Sequence, residues 1–341
     1  MDRFFLSLLI ISGFILGVWT KVKYDHLSYH LLHVNSKGSY FVIPKGATIH
    51  SVATDLYQKG FLDYPLYLEL LARWRGVSRN IKAGEYYIQP EAAVSEFLQQ
   101  IVSGKIAQHS LTLVEGWTFS QMMIAIRNSV HLNQTLKQVP LSEIMASLGY
   151  SQEHPEGRFF PDTYFFPTDT TDFEFLHRAY QLMKQHLIQE WEARAPDLPY
   201  RNPDEALILA SIIERETALP KERPLVAGVF IRRLRKGMRL QADPTVIYSL
   251  GKDFNGNLRR QDLRTDTPYN TYTRLGLPPT PICMPSLESL HAALHPDKGE
   301  ALYFVAQSDG SHYFSSTLEE HNVAVQAYQL GILSNQPRNL K

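Results

Sequence analysis

Residues 203–218 read PDEALILASIIERETA. Pro203 near the start and Pro220 just beyond the end bracket a helix, because proline suits a first turn and cannot continue an interior. Ile208, Leu209, Ile212 and Ile213 form its bulky side. At about 100° per residue, Glu216 turns toward that side and Glu214 turns away. The neighbours of Glu214 at three and four positions, Ala210, Ser211, Thr217 and Ala218, are all small, which lowers the surface around the acid and admits a ligand. Apolar walls instead raise an acid's pKa by desolvation, which a general acid needs. Each glutamate thus has one favourable feature, and the small walls put Glu214 ahead. The plain alternative is two solvated charges at a helix end, although glutamate opposes the helix dipole there.

The pattern continues outward on both sides. FEFLHRAYQLMKQHLIQEWEAR (173–194) is a strongly amphipathic helix, and ERPLVAGVFIRRLRKG (222–237) is another, closed by Gly237. HSLTLVEG reads as a strand, and EGRFFPDTYFFPTDT is too rich in Pro, Asp and Thr for one helix. ALYFVAQSDGSHYFSS reads as a hairpin turning at Asp309-Gly310. Together these predict an α+β domain over 106–341. Residues 40–105 predict a smaller unit: a strand at Tyr40–Ile43, a helix capped by Thr48 and stopped near Gly60, the helix YPLYLELLARWRG, the strand GEYYI and the helix AVSEFLQQIVSG. Gly46-Ala47-Thr48 and Gly116-Trp117-Thr118 echo one another as strand-turn-capped-helix junctions.

The sixteen residues FFLSLLIISGFILGVW (4–19) carry no charge and lie between Arg3 and Lys21/Lys23. That is just under the roughly 17–25 residues of a spanning helix. No small-residue cleavage site follows, so an uncleaved anchor over 1–23 is expected, with 24–39 as a juxtamembrane linker. Arg3 and Lys21/Lys23 flank both ends, so charge does not set the orientation. Lys+Arg and Asp+Glu balance at 34 each, which argues against a nucleic-acid partner. The one cysteine, Cys283, cannot form an internal disulfide.

LTLVEGWT, EGRFFPDTYFFPT, ASIIERETA, VFIRRLRKGMRLQADPTVIYSLG, YNTYTRLGLPPTPI and HPDKGEALYFV follow one another in the order and spacing of the YceG-like (MltG) endolytic murein transglycosylases, which the chain resembles over about 40–330. The resemblance implies a single-pass inner-membrane anchor, a LysM-like module at 40–105 and a YceG-like catalytic domain in the periplasm. It implies a lyase that needs no cofactor, acts on peptidoglycan glycan strands and has peptidoglycan synthases as partners. The family's catalytic glutamate falls on Glu214. Thr280, where the family often has glycine, and Met284-Pro285-Ser286, where Asn-Pro-Gly is common, depart from its pattern.

The implied reaction cleaves the bond between N-acetylmuramic acid and N-acetylglucosamine without water. One carboxyl protonates the leaving oxygen, positive charge develops at the sugar carbon, and the same group then takes the C6 hydroxyl proton as that oxygen closes a 1,6-anhydro ring. The tethered nucleophile has a high effective concentration. Such chemistry asks for a carboxyl whose pKa is raised toward neutrality. Substrate contacts are expected from Gln241, Asp243 and Thr245 in LQADPT and from Tyr269, Asn270 and Tyr272 in YNTY, since amides, hydroxyls and aromatic faces suit sugars. Asp243 and Pro244 fit a helix start equally well. Glu156 and Asp162 read as braces of their loop. His291 and His295 lack the glutamate of H-E-x-x-H, so no metal is expected there. Arg232, Arg233, Arg235 and Lys236 read as a solvated basic face. Two other functions remain open: a hydrolytic muramidase with Glu214 as acid and Asp243 as base, and a non-enzymatic wall-binding tether.

Overall fold

The computed structural model describes residues 2–329; of the first nine, only the side chain of Leu8 is described. The chain divides into two compact units, Met1–Ser110 with Phe165–Asp169, and Leu111–Tyr164 with Thr170–Lys341.

The small unit begins with helix α1 (Asp2–Tyr29). Strand β1 (Ser39–Ile43) is followed by α2 (Ile49–Gln58), α3 (Pro65–Trp74), β2 (Gly84–Ile88) and α4 (Val94–Ser103). Strands β1 and β2 pair antiparallel with Phe41 opposite Tyr86. Alternation on these strands sends Phe41, Ile43, Tyr86 and Ile88 into a core with Leu56, Leu71 and Phe97. Thr48 caps α2 by accepting the Ser51 N–H, and the Ser51 hydroxyl returns the favour to the cap. The Glu85 carboxylate accepts from the Thr168 hydroxyl and faces His109 Nε2 at 3.0 Å, so the distant segment 165–169 is hydrogen-bonded into this unit.

Two expectations from sequence fall in this unit. Among the described residues no helix is long and apolar enough to cross a membrane. The apolar run of α1 is nevertheless exposed at Leu8 and over residues 10–19, while Phe4, Phe5, Leu6 and Leu9, which complete it, lie outside the described side chains. Residues 24–39 do not form a free linker. Leu27 and Leu32 are buried, Leu32 N–H donates to Ala92, and Val94 N–H donates to His30. The physical reason is the apolar content of this stretch, which has a core within reach to cover it.

Strands β3 (His109–Thr112) and β4 (Thr163–Phe166) pair, and the division between the units falls within both. The large unit then contains α5 (Phe119–Asn128), the short α6 (Ile144–Ser147), α7 (Asp172–Glu192), α8 (Pro203–Glu216), α9 (Arg223–Arg235), α10 (Asp243–Leu250), the short α11 (Arg260–Arg264) and α12 (Leu287–Leu294). The hairpin β5 (Tyr303–Ala306) and β6 (His312–Ser315) follows, then α13 (Leu318–Tyr328). Helix α8 lies at the centre: every residue from Ala206 to Ile213 is buried, in a core shared with Met183, Phe230 and Leu290. Ser211, buried in α8, donates to the Ile208 carbonyl and accepts the Ile282 N–H at 3.0 Å, which ties the loop before α12 to the central helix.

Candidate active site

Because α8 is buried all round, the contrast of a bulky and a small face does not separate its two glutamates. Their partners do. One Glu214 oxygen accepts the Ser286 N–H at 2.9 Å and the Ser286 hydroxyl at 2.5 Å. The other accepts from Arg223 at 3.3 Å. Ser286 is the N-cap of α12, so its peptide donor is one of the amides left free at a helix start. Arg223 opens α9 and also lies 3.8 Å from Glu288. Three donors on two helix starts therefore fix the Glu214 rotamer at the C-terminal end of α8. The departure at Ser286 matters here, because a glycine at that position has no hydroxyl to give.

Glu214 opens on a cleft of about 760 Å³ lined by residues 112–115, 161–163, 214–218 and Arg223. Glu115 and Asp162 stand on its rim, both exposed. Burial, and then the charges of Glu214 and Glu288, push the Glu115 carboxyl up. Asp162 does accept its neighbour's N–H, from Thr163, but it also faces the cleft, beyond the bracing role its sequence suggests. Glu115 has no special sequence signal: its link to Glu214 is spatial.

Glu216 belongs to this cleft and to a second of about 380 Å³ lined by Arg233, Gln241, Asp243, Tyr272 and the β5–β6 hairpin. Part of its surface is open through these clefts, although protein atoms crowd the carboxyl on its other sides. Burial, with Asp243's charge adding and Arg233 opposing, pushes Glu216 up to about 8. Tyr272 donates its hydroxyl to Asp243, which stands at the first turn of α10 and is not its cap; Ala242 holds that place. Gln241 adopts φ 54, a left-handed conformation unusual for a side chain of this kind, and accepts from Arg233 at 3.3 Å.

The other three residues expected at the substrate are engaged within the fold. Thr245 is fully buried and donates to the Ala242 carbonyl. Asn270 is buried, its amide donating to the carbonyls of Asp262, Leu263 and Thr265. Tyr269 packs on Tyr248 and shares a hydrogen bond with Thr280. A polar loop needs its carbonyls satisfied internally, and Thr245 and Asn270 do that. Glu156 is a brace as its sequence suggests: buried, it accepts from Phe119 N–H and the Tyr248 hydroxyl, and burial pushes it up to about 7. The basic run is solvated only at its end: Arg235 and Lys236 are exposed, whereas Arg232 and Arg233 are not. Arg232 donates to the Ala301 and Asp297 carbonyls and Arg233 to that of Leu302, which secures the chain after α12, while Arg233 also holds the Leu240 carbonyl ahead of α10. Among the described residues, two groups have metal-ligating composition, Glu190 with His291 and His295, and His30 with His33 and Asp63.

The profile of the YceG-like family matches residues 41–327. The chain belongs to the YceG-like family. It is similar, at 31% identity over 84% of its length and 83% of the relative's, to an "Endolytic murein transglycosylase" of Bacillus subtilis. A protein of the same description from Streptococcus pneumoniae serotype 2 is 25% identical over 93% of the chain, which spans 62% of that longer relative. A crystal structure of a yceG-like protein from Listeria monocytogenes superposes with a TM-score of 0.51 at 29% identity, covering 85% of this chain and all of the other. The YceG-like match takes in both clefts.

Proposed function

We propose that the protein is a lytic transglycosylase that cuts peptidoglycan strands internally, between N-acetylmuramic acid and N-acetylglucosamine, leaving a 1,6-anhydro end. The observation that carries this reading is Glu214, the carboxyl that Ser286 and Arg223 hold toward a cleft large enough for a sugar unit. The similarity to proteins described as endolytic murein transglycosylases supports the substrate. Glu214 gives a proton to the glycosidic oxygen and then takes the C6 hydroxyl proton. The Ser286 hydroxyl can rotate from donor to acceptor, so it follows Glu214 through both charge states. Arg223 steadies the carboxylate between the two steps. Gln241, Asp243 and Tyr272 line the second cleft, which Glu216 joins to the first, and they supply polar contacts for a neighbouring sugar.

The hydrolytic alternative with Asp243 as base has little support, since Asp243 and Glu214 line different clefts. The exposed apolar run of α1 supports an inner-membrane anchor, with the rest of the chain in the periplasm beside the synthases that make the strands. The β1–α2–α3–β2 order supports a LysM-like grip on glycan. Mass spectrometry of products from uncrosslinked strands tests the reaction. Anhydro ends are expected; reducing-end muramic acid, heavier by one water, refutes it, and intact strands favour a wall-binding tether.

A further inference from the structure

The last turn of α1 carries His26, and His30 and His33 follow just beyond the end of that helix. Main-chain bonds hold this stretch in place. His33 N–H donates to the Phe61 carbonyl at 2.8 Å, and the His30 carbonyl accepts Val94 N–H at 2.8 Å. Asp63 lies two residues beyond Phe61 and faces both rings. Its Oδ2 is 2.9 Å from His33 Nε2 and 3.4 Å from His30 Nε2. All three ligand atoms lie within 4.8 Å of one another. The Tyr67 ring meets His30 edge-on, with centroids 4.9 Å apart, and restrains that imidazole.

His33 uses the Asp63 oxygen as a hydrogen-bond partner. His30 Nε2 is buried and has no hydrogen-bond partner among the described residues, although it points toward the same oxygen. A buried ring nitrogen without a partner is costly. A cation between the three atoms removes that cost. Tetrahedral Zn²⁺, with bonds of about 2.0–2.1 Å, holds neighbouring ligand atoms about 3.3–3.4 Å apart, close to the 3.4 and 2.9 Å that separate Asp63 from His30 and His33.

We propose that His30, His33 and Asp63 form a binding site for a divalent transition-metal cation, Zn²⁺ by its donor set of two imidazoles and a carboxylate, which clamps the end of α1 to the α2–α3 turn. Such a set leaves one position open, and His26, which lines the same hollow, or a water fills it. The second histidine group differs in a telling way. His295 Nε2 is bonded to the Ala193 carbonyl and its Nδ1 faces the His291 carbonyl, so neither ring nitrogen is orphaned.

The test uses the full chain in detergent, stripped of metal and titrated with Zn²⁺ against a chromophoric chelator, with Co²⁺ as a visible-absorption probe. One equivalent is expected, with tetrahedral Co²⁺ bands. His33→Ala and Asp63→Asn are expected to weaken binding about 100-fold or more, since each removes a ligand. Both side chains are about half exposed, at 57% and 49%, so neither change empties a core, and Asp63→Asn also keeps the shape. His291→Ala is the control, expected to bind within about twofold of the wild type. Absence of binding at about 100 µM Zn²⁺, wild-type affinity in both site variants, or loss of binding in His291→Ala each overturns the proposal.

Discussion

Glu214→Gln separates chemistry from scaffold, and the structure sets both magnitudes. The carboxylate faces only donors: the Ser286 peptide and hydroxyl on one oxygen, an Arg223 nitrogen on the other. A glutamine amide has one oxygen and one NH₂. If its oxygen stays with Ser286, the NH₂ meets the guanidinium; if it turns over, the NH₂ meets the Ser286 N–H. Either way one donor at a nearly closed site loses its acceptor, at a cost of about 1–3 kcal/mol. For a unit of this size that is about 2–4 °C in Tm per kcal/mol, so a drop of several degrees is expected. Turnover is expected to fall about 10⁴-fold or more, because a general acid-base group contributes about 10²–10⁴ and this one serves in both steps. Glu216→Gln is the contrast. Held up to about 8, Glu216 is mostly protonated at neutral pH and close to glutamine in shape and charge, so turnover within about tenfold and little change in Tm are expected. The assay is release of shortened strands from uncrosslinked glycan, with a melting curve for each variant. A dead Glu216→Gln beside an active Glu214→Gln refutes the assignment and makes the desolvated carboxyl the acid.

Ser286→Gly keeps the peptide donor to Glu214 and removes the hydroxyl; turnover is expected to drop about tenfold through kcat rather than KM, because the carboxyl is less tightly aimed, and an unchanged kcat would count against that role. Folding raises the pKa of Glu216 from the ordinary carboxyl range to about 8, so its contribution to stability is full below about pH 4.5 and is lost as pH rises through 8. Melting curves between pH 7 and 9 should therefore slope downward in the wild type and flatten in Glu216→Gln, whereas the slope that Glu156 adds below about 7 persists. Tyr272→Phe breaks the bond to Asp243 in the second cleft and should raise KM several-fold at unchanged Tm, while Asn270→Ala, which strips three carbonyls of a donor, should cost about 1–3 kcal/mol of stability; the reverse pattern in steady-state kinetics and melts would return Asn270 to the substrate site.

Local signals carried much of the fold. The helices α7, α8 and α9 and the β5–β6 hairpin were legible because their periods and their proline and glycine stops lie within each segment. Glu214 was legible as a candidate from its small neighbours, although what distinguishes it is Ser286, 72 residues along the chain. No local pattern announces such a partner. The same holds for Glu115, joined to Glu214 only through the shared cleft. Arg232 and Arg233 look like a solvated run because most of the carbonyls they reach, those of Asp297, Ala301 and Leu302, sit far along the chain after α12, and Asn270 looks like a sugar contact because a loop brace and a ligand contact use the same amide. His30 and His33 looked like a polar linker for want of any sign that Asp63 would meet them.

The placement of Phe165–Asp169 has a consequence for how the protein can be cut apart. These five residues are hydrogen-bonded through Thr168 to Glu85, yet the chain reaches them only after Leu111–Tyr164. The small unit is therefore not a contiguous cassette. A gene fragment ending near residue 110 encodes it without this segment, and a catalytic fragment starting there carries the segment with its Glu85 acceptor gone. Exchange of this unit between relatives by a single crossover leaves a mismatched Thr168–Glu85 contact unless positions 165–169 are exchanged with it, so a chimera is expected to need two grafts rather than one.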